Sequence, residues 1–376
     1  MQDKSFLMIP GPTPVPESVL VELARHPIGH RSKEFSDIFM SCIEDLKWLG
    51  KTKNSDVFIY TASGTGAMEA AIANSLSPGD KVLSLVIGVF GKRFSQIAQT
   101  FGANVEIISA EPGKVIAPNT LEQRLAEDKN KEIKIVTVTH SETSTGAAND
   151  LEKMGKIVKA HGALLIVDAV TSLGCMNLEI DNWGLDIVIS GSQKGFMIPP
   201  GLSFIYVSQK AWDFYKRSKC PKFYWDFGKQ KKSLDEQTTP FTPNVSFICS
   251  LKKAFEMMKN EGLENLIKRH DRLKNRLRAG LKELGLNLLT EDKDASAAIT
   301  AIYPPEGVSV PDIRAAYKKD WDITVANGQD TLKDKIFRVG HLGFVSDRDI
   351  EMTLTVTEKV IKKLSANNLQ LTAGKK

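Results

Sequence analysis

From Asp56 to Val207 the chain alternates two hydrophobic patterns. Short, nearly continuous apolar runs at residues 57–60, 81–87, 105–108, 134–139, 164–167, 186–189 and 202–207 are separated by longer stretches in which apolar side chains return every three or four positions. Runs of the first kind suit strands covered on both faces, and the spacing of the second suits helices lying over them. The alternation predicts an α/β fold with a mainly parallel, seven-stranded sheet. Ser77-Pro78-Gly79-Asp80 and Glu111-Pro112-Gly113 mark turns between units.

The flanking regions read differently. Pro10-Gly11-Pro12-Thr13-Pro14-Val15-Pro16 removes too many donors for helix or central strand, so residues 1–16 are expected to form an arm. Residues 17–26 look helical, and Phe35, Ile38, Phe39, Cys42, Ile43, Leu46 and Leu49 recur at the spacing of an amphipathic helix over 32–51. Residues 218–244 lose all periodicity and read as a long loop. Beyond them lie helices at 246–262 and 263–285, strand candidates at 297–303, 322–326 and 335–339, and a last helix at 346–364. The expected organisation is an arm (1–16), a large domain (17–261) and a smaller C-terminal α+β domain (262–376).

Composition narrows the class of protein. The chain is 42% apolar and 25% charged, as ordinary soluble globular proteins are. No apolar run approaches the ~20 residues that cross a bilayer, and the first residues lack a signal-peptide layout, so a cytoplasmic protein without membrane attachment is expected. Fifty basic against 45 acidic residues leave a charge of +5, with basic clusters at Lys229, Lys231 and Lys232 and at Lys375-Lys376. These read as solvated surface, and no nucleic-acid partner is expected. Cys42, Cys175, Cys220 and Cys249 have no paired spacing, which argues against disulfide, zinc and iron–sulfur sites.

Candidate chemistry gathers between Leu164 and Gly201. One apolar run ends in Asp168, and another leads through Ser190-Gly191-Ser192-Gln193 to Lys194, so an acid and an amine are delivered to the carboxyl edge of the sheet. A plain ion pair would explain them. Pyridoxal phosphate would also: it needs a lysine amine for its Schiff base and an acid to keep its ring nitrogen protonated. Its phosphate needs a cradle, which Thr61-Ala62-Ser63-Gly64-Thr65-Gly66 offers at the start of a helical stretch. Simple helix capping by Ser63 or Thr65 is the alternative there. A nucleotide P-loop fails because Asp45 stands where the loop before Gly50-Lys51-Thr52 must begin with glycine. A dinucleotide fingerprint fails because Gly64-Thr65-Gly66-Ala67-Met68-Glu69 ends in glutamate.

Ser63-Gly64-Thr65, His140-Ser141-Glu142-Thr143-Ser144-Thr145-Gly146, Asp168-Ala169-Val170 and Gly191-Ser192-Gln193-Lys194 with Pro199-Pro200-Gly201 occur in that order. In this the chain resembles the class V, fold-type-I pyridoxal-phosphate aminotransferases, in their alanine–glyoxylate and serine–glyoxylate (serine–pyruvate) branch, from Pro10 to the Arg338 segment. The resemblance implies that Lys194 carries the Schiff base and shuttles a proton between the substrate Cα and the cofactor. It implies that Asp168 faces the ring nitrogen, that Ser63, Gly64, Thr65 and Gln193 hold the phosphate, and that Phe90 and Val170 cover opposite ring faces. Thr143 would bond the ring hydroxyl, while Arg338, through a bidentate pair, and Gly11 would bind the substrate.

Thr239 and Thr242 match a loop that in this family reaches the partner subunit's phosphate, which implies a homodimer with shared active sites. Several relatives carry tryptophan at the position of Phe90, and relatives often place tyrosine at that of Thr239. The implied reaction is a ping-pong transfer from a small amino acid, alanine or serine, to a small 2-oxo acid, glyoxylate or pyruvate. Phosphoserine aminotransferase is an alternative. Cysteine desulfurase is another, although no cysteine follows Cys249. Proteins of this appearance have also carried a soluble-hydrogenase label, so a non-catalytic subunit of a redox complex is a third.

Overall fold

The computed structural model describes residues 6–373, without the side chains of 367–373. The first five residues of the expected arm and the Lys375-Lys376 pair therefore lie outside the described residues. The central sheet has seven strands in the order Asp56–Tyr60, Ser203–Val207, Ile187–Gly191, Leu164–Asp168, Ile133–Thr139, Lys81–Val86 and Asn104–Ser109. Every apolar run of the sequence is one of them. All neighbours are parallel except around Ser203–Val207, which runs antiparallel to both of its partners. The reason is local: residues 192–202 form a turn too short to hold a crossover helix, so the chain can only fold back.

Alternation along each strand sends side chains to two cores. Leu83, Leu85, Val136, Val138, Leu165, Val167 and Val188 face the helices Lys33–Leu49, Leu151–His161 and Val245–Glu261. Val82, Ile135, Leu164, Ile166, Ile187 and Ile189 face Gly64–Ser75, Val89–Thr100 and Gln209–Arg217. Burial of each such side chain contributes about 1.5–3 kcal/mol, so the strand tips stand on a stiff base. The Gly64–Ser75 helix meets the sheet through Ala67, Ala70 and Ala71, and such small residues let its start come close to the strand ends.

A second sheet orders Phe6–Met8, Ile323–Asn327, Phe337–Gly340 and Ile299–Ile302. Helices Leu263–Glu283, Val310–Trp321 and Asp347–Ala373 cover it through Leu273, Leu277, Ile313, Tyr317, Ile350 and Val356. Two expectations need correction. The arm is part strand, since Phe6–Met8 pairs in parallel with Ile323–Asn327. The long loop contains a helix, Phe227–Asp235, capped by the Asp226 side chain accepting from the Lys229 N–H. That helix buries only Phe227 and Gln230, too little to leave an apolar stripe in the sequence. Among the described residues no helix is long and apolar enough to cross a membrane.

Candidate active site

Asp168 is the last residue of its strand and is 3% exposed. Its Oδ1 accepts from the Val170 N–H at 2.9 Å, and its carbonyl accepts from the His140 N–H at 2.9 Å. Burial pushes the carboxyl up to about 7; the Val170 bond opposes this, Glu142 adds to it, and the charges of Lys194 and Arg93 pull it back.

Lys194 follows the neighbouring strand and is 7% exposed. Burial brings its amine down to about 8, the Arg338 charge adds to that, and Asp168 opposes it. The two groups thus act on each other through their fields, yet among the described residues no ion pair joins them, and Nζ instead donates to the Pro10 carbonyl at 2.6 Å. A strap from Pro10 to Thr13 closes over this turn: the Thr13 N–H donates to the Gln193 carbonyl at 3.1 Å and its hydroxyl to the Lys194 carbonyl at 3.0 Å. Gly11 sits at φ +146, which L side chains rarely adopt, and a Cβ there would lie 2.6 Å from Nζ, so a larger residue would strain the strap and push the amine aside.

The start of the Gly64–Ser75 helix closes the other side. Ser63 occupies the capping position, but its exposed hydroxyl makes no cap bond. A Cβ on Gly64 would lie 2.8 Å from Val170 Cγ2, and one on Gly191 would lie 3.6 Å from Gly64 N, which brings helix start, Asp168 loop and Lys194 turn together. Of the first-turn N–H groups, that of Gly66 donates to the Ser63 carbonyl at 2.9 Å, and those of Gly64 and Thr65 have no hydrogen bond among the described residues. Gln193 Oε1 is buried without a partner, and Thr65 Oγ1 accepts from Arg93 Nη1 at 3.0 Å.

Phe90 lies in the first turn of Val89–Thr100, whose capping residue, Gly88, has no side chain to offer. Glu142 substitutes for it. Its carboxylate accepts from the N–H groups of Phe90 at 3.1 Å, Gly91 at 3.3 Å and Ser144 at 3.0 Å, and from the Ser144 hydroxyl at 2.6 Å. Burial raises its pKa while these donors lower it. Glu142 anchors the backbone at Phe90, and sequence reasoning gave it no role; the signal was an acid inside a run of hydroxyl residues. Arg93 was missed as well, although three positions along a helix from Phe90 puts it on the same face.

Thr143 Oγ1 shares a 2.7 Å hydrogen bond with Thr171 Oγ1, and its carbonyl accepts from Arg338 Nη1 at 2.8 Å. Arg338 also donates from Nε to the Asn327 carbonyl at 2.8 Å and from Nη1 to Gln329 Oε1 at 3.2 Å, leaving Nη2 without a bond among the described residues. Burial brings its guanidinium down to about 10, with Glu142 opposing. Thr239 and Thr242 stand apart from this group. They line a small crevice with Tyr60, Thr61 and Tyr224; Thr239 is buried and donates to the Phe241 carbonyl at 2.8 Å, and Thr242 is exposed.

Residues 6–345 match the family model described as aminotransferase class-V. The chain is 53% identical over 375 residues to the soluble hydrogenase 42 kDa subunit of Anabaena cylindrica, covering 100% of this chain and 97% of that one. It is 36% identical to the serine–glyoxylate aminotransferase of Hyphomicrobium methylovorum, covering 98% and 92%. The crystal structure of an alanine–glyoxylate aminotransferase from Nostoc sp. superposes with a TM-score of 0.91 at 31% identity, covering 96% of each chain.

Proposed function

The chain belongs to the class-V aminotransferase family, and from that premise we propose that it moves the amino group of alanine or serine to glyoxylate or pyruvate by a ping-pong exchange. It is a transaminase of the pyridoxal-phosphate-dependent, fold-type-I kind. The residues present fit that cofactor. Around the Lys194 amine and the Asp168 acid stand an uncapped helix start, a Ser63 hydroxyl that caps nothing and a half-buried Gln193 amide without hydrogen bonds among the described residues, whose Nε2 can donate to an anion. Such uncommitted groups suit an anion and an aromatic ring better than a self-contained core.

When bound, pyridoxal phosphate supplies an aldehyde that takes the amino group and a ring that absorbs the electrons left at the substrate Cα. In this reading Lys194 holds the cofactor. Its amine, brought by burial to about 8, is uncharged in a useful share near neutral pH and moves the proton to and from Cα. Asp168 holds a proton on the ring nitrogen, Phe90 and Val170 confine the ring, and Thr143 meets the hydroxyl side. Ser63, Gly64, Thr65 and Gln193 receive the phosphate. Arg338 offers its unbonded Nη2 edge to the substrate carboxylate, below the Gly11 strap. Thr239 and Thr242 would serve a partner subunit's phosphate in a cytoplasmic homodimer.

The observation that carries the proposal is the pairing of a buried amine and a buried acid at adjacent strand tips with no ion pair between them. The names of relatives support the choice of small donors and of glyoxylate. Purified protein should show cofactor absorption bands that vanish in Lys194→Ala. Serine or alanine alone should convert the bands once per site, and glyoxylate should restore them. Absence of bound cofactor would end the proposal, and a requirement for both substrates together would end the ping-pong scheme.

The Anabaena relative's name raises a second reading, a subunit role in a redox complex. Complete inactivity toward a panel of amino donors, with cofactor bound, would favour it.

A further inference from the structure

Arg93 lies one helical turn beyond Phe90, with its guanidinium carbon 4.7 Å from the centre of the Phe90 ring. Its Nη1 reaches 3.0 Å to Thr65 Oγ1, in the first turn of the Gly64–Ser75 helix. The side chain is half-buried and forms no ion pair among the described residues, although its neighbour Lys92 pairs with Asp330 at 3.0 Å. Its charge nonetheless acts on Asp168. A partly desolvated cation without a counter-charge is costly, and the cost falls when an anion arrives.

The groups assigned above to the phosphate are all neutral: the Ser63 hydroxyl, the Thr65 hydroxyl, the Gln193 amide and the first-turn N–H groups. A phosphate ester carries nearly two negative charges at neutral pH. The guanidinium is permanently charged and presents a planar fork matched to phosphate oxygens. The Phe90 face and the Thr65 hydroxyl hold that fork in one orientation before any ligand binds.

We propose that Arg93 is the cationic member of the phosphate cradle, held in place by the Phe90 ring and Thr65, and that it makes the site select phosphorylated over unphosphorylated cofactor. This rests on the pyridoxal-phosphate reading above. Two other roles are open to the same side chain. It could prop Phe90 alone, through the cation–ring contact, or it could receive the side-chain carboxylate of a dicarboxylic amino donor.

The full-length protein, Arg93→Gln and Arg93→Lys are titrated with pyridoxal phosphate and with pyridoxal, following tryptophan fluorescence and absorbance, with circular dichroism to verify folding. Loss of a charge-assisted phosphate contact should weaken pyridoxal phosphate about 10- to 100-fold in Arg93→Gln and pyridoxal by under about 3-fold. Arg93→Lys should recover part of the difference. Equal weakening of both ligands would overturn the proposal in favour of a prop for Phe90. Unchanged cofactor affinity with a raised KM for aspartate but not alanine would overturn it in favour of substrate recognition. Should Arg93→Gln not fold, Arg93→Met, which keeps the aliphatic stem without the charge, decides: undiminished preference for the phosphorylated ligand overturns the proposal. Failure of the unaltered protein to bind pyridoxal phosphate would instead sink the reading on which the proposal stands.

Discussion

The Lys194 turn and the Thr239–Thr242 loop are expected to serve the same kind of ligand, one in its own subunit and the other across a dimer, but they are built in opposite ways. Around Lys194 the backbone is gripped from several directions: by the strap at Pro10 and Thr13, by the return strand at Leu202, and by the close approach of Gly64 to Gly191. The threonine loop is held mainly by its own carbonyls and by Arg31, and its surroundings are aromatic and open, with Phe223 71% exposed and Tyr224 stacked on Phe241 at 5.2 Å. The first region has its geometry set by this chain alone. The second keeps apolar surface that a neighbouring subunit could cover, as the dimer proposal requires.

Substitutions test that contrast. The largest effect is expected from Asp168→Asn, because in the proposed site it removes the acid that pairs with the cofactor's protonated ring nitrogen, and breaking a buried pair typically costs about 3–5 kcal/mol. Cofactor affinity, read from its absorption bands, should fall with activity, and retention of both would break the contrast at its stronger end. Arg338→Lys comes next. A lysine cannot reproduce the guanidinium's bonds to Asn327, Thr143 and Gln329 or its free edge, so KM for the amino donor should rise by about 10- to 100-fold with a smaller change in kcat. Steady-state kinetics separate the two.

Glu142→Gln should act through charge. Glu142 raises the Asp168 carboxyl, so a neutral amide there should lower the pKa of Asp168 and move the acid limb of the kcat/KM profile to lower pH. A shift to higher pH, or none, would show that the carboxylate only positions Phe90. Thr242→Ala is expected to have the smallest effect, about 1 kcal/mol in cofactor affinity, the worth of one ordinary hydrogen bond. A loss as large as that of Asp168→Asn would show that the outer loop matters as much as the inner turn.

Much of the inner region was legible in the sequence. Buried parallel strands announce themselves as unbroken apolar runs, which is why all seven strands of the large sheet were anticipated and why Asp168 and Lys194 could be placed at their tips. What escaped has a common physical cause: hydrophobic pattern reports burial, not the identity of a distant partner. Phe6–Met8 is a plain apolar triplet whose pairing depends on Ile323–Asn327. Glu142 is polar by composition and wholly buried in fact, because its donors come from the first turn of a helix about fifty residues upstream, at Phe90 and Gly91. Arg93 meets Thr65 across 28 residues of chain. The Phe227–Asp235 helix is held by Asp226 and by Asn74, which accepts from the Phe227 N–H, and neither leaves a periodic trace.

The strap over the Lys194 amine hangs from a strand whose partner lies far along the chain. Phe6–Met8 has no strand to join until Ile323–Asn327 exists, and Gly340 must arrive without a side chain to make room for the Ile9 carbonyl. During synthesis the large sheet can therefore close while the lysine stays open to water, and the strap takes its place only after Ile323–Asn327 has been made. Competence for chemistry should therefore wait for Ile323–Asn327 and Gly340, whatever the state of the large sheet.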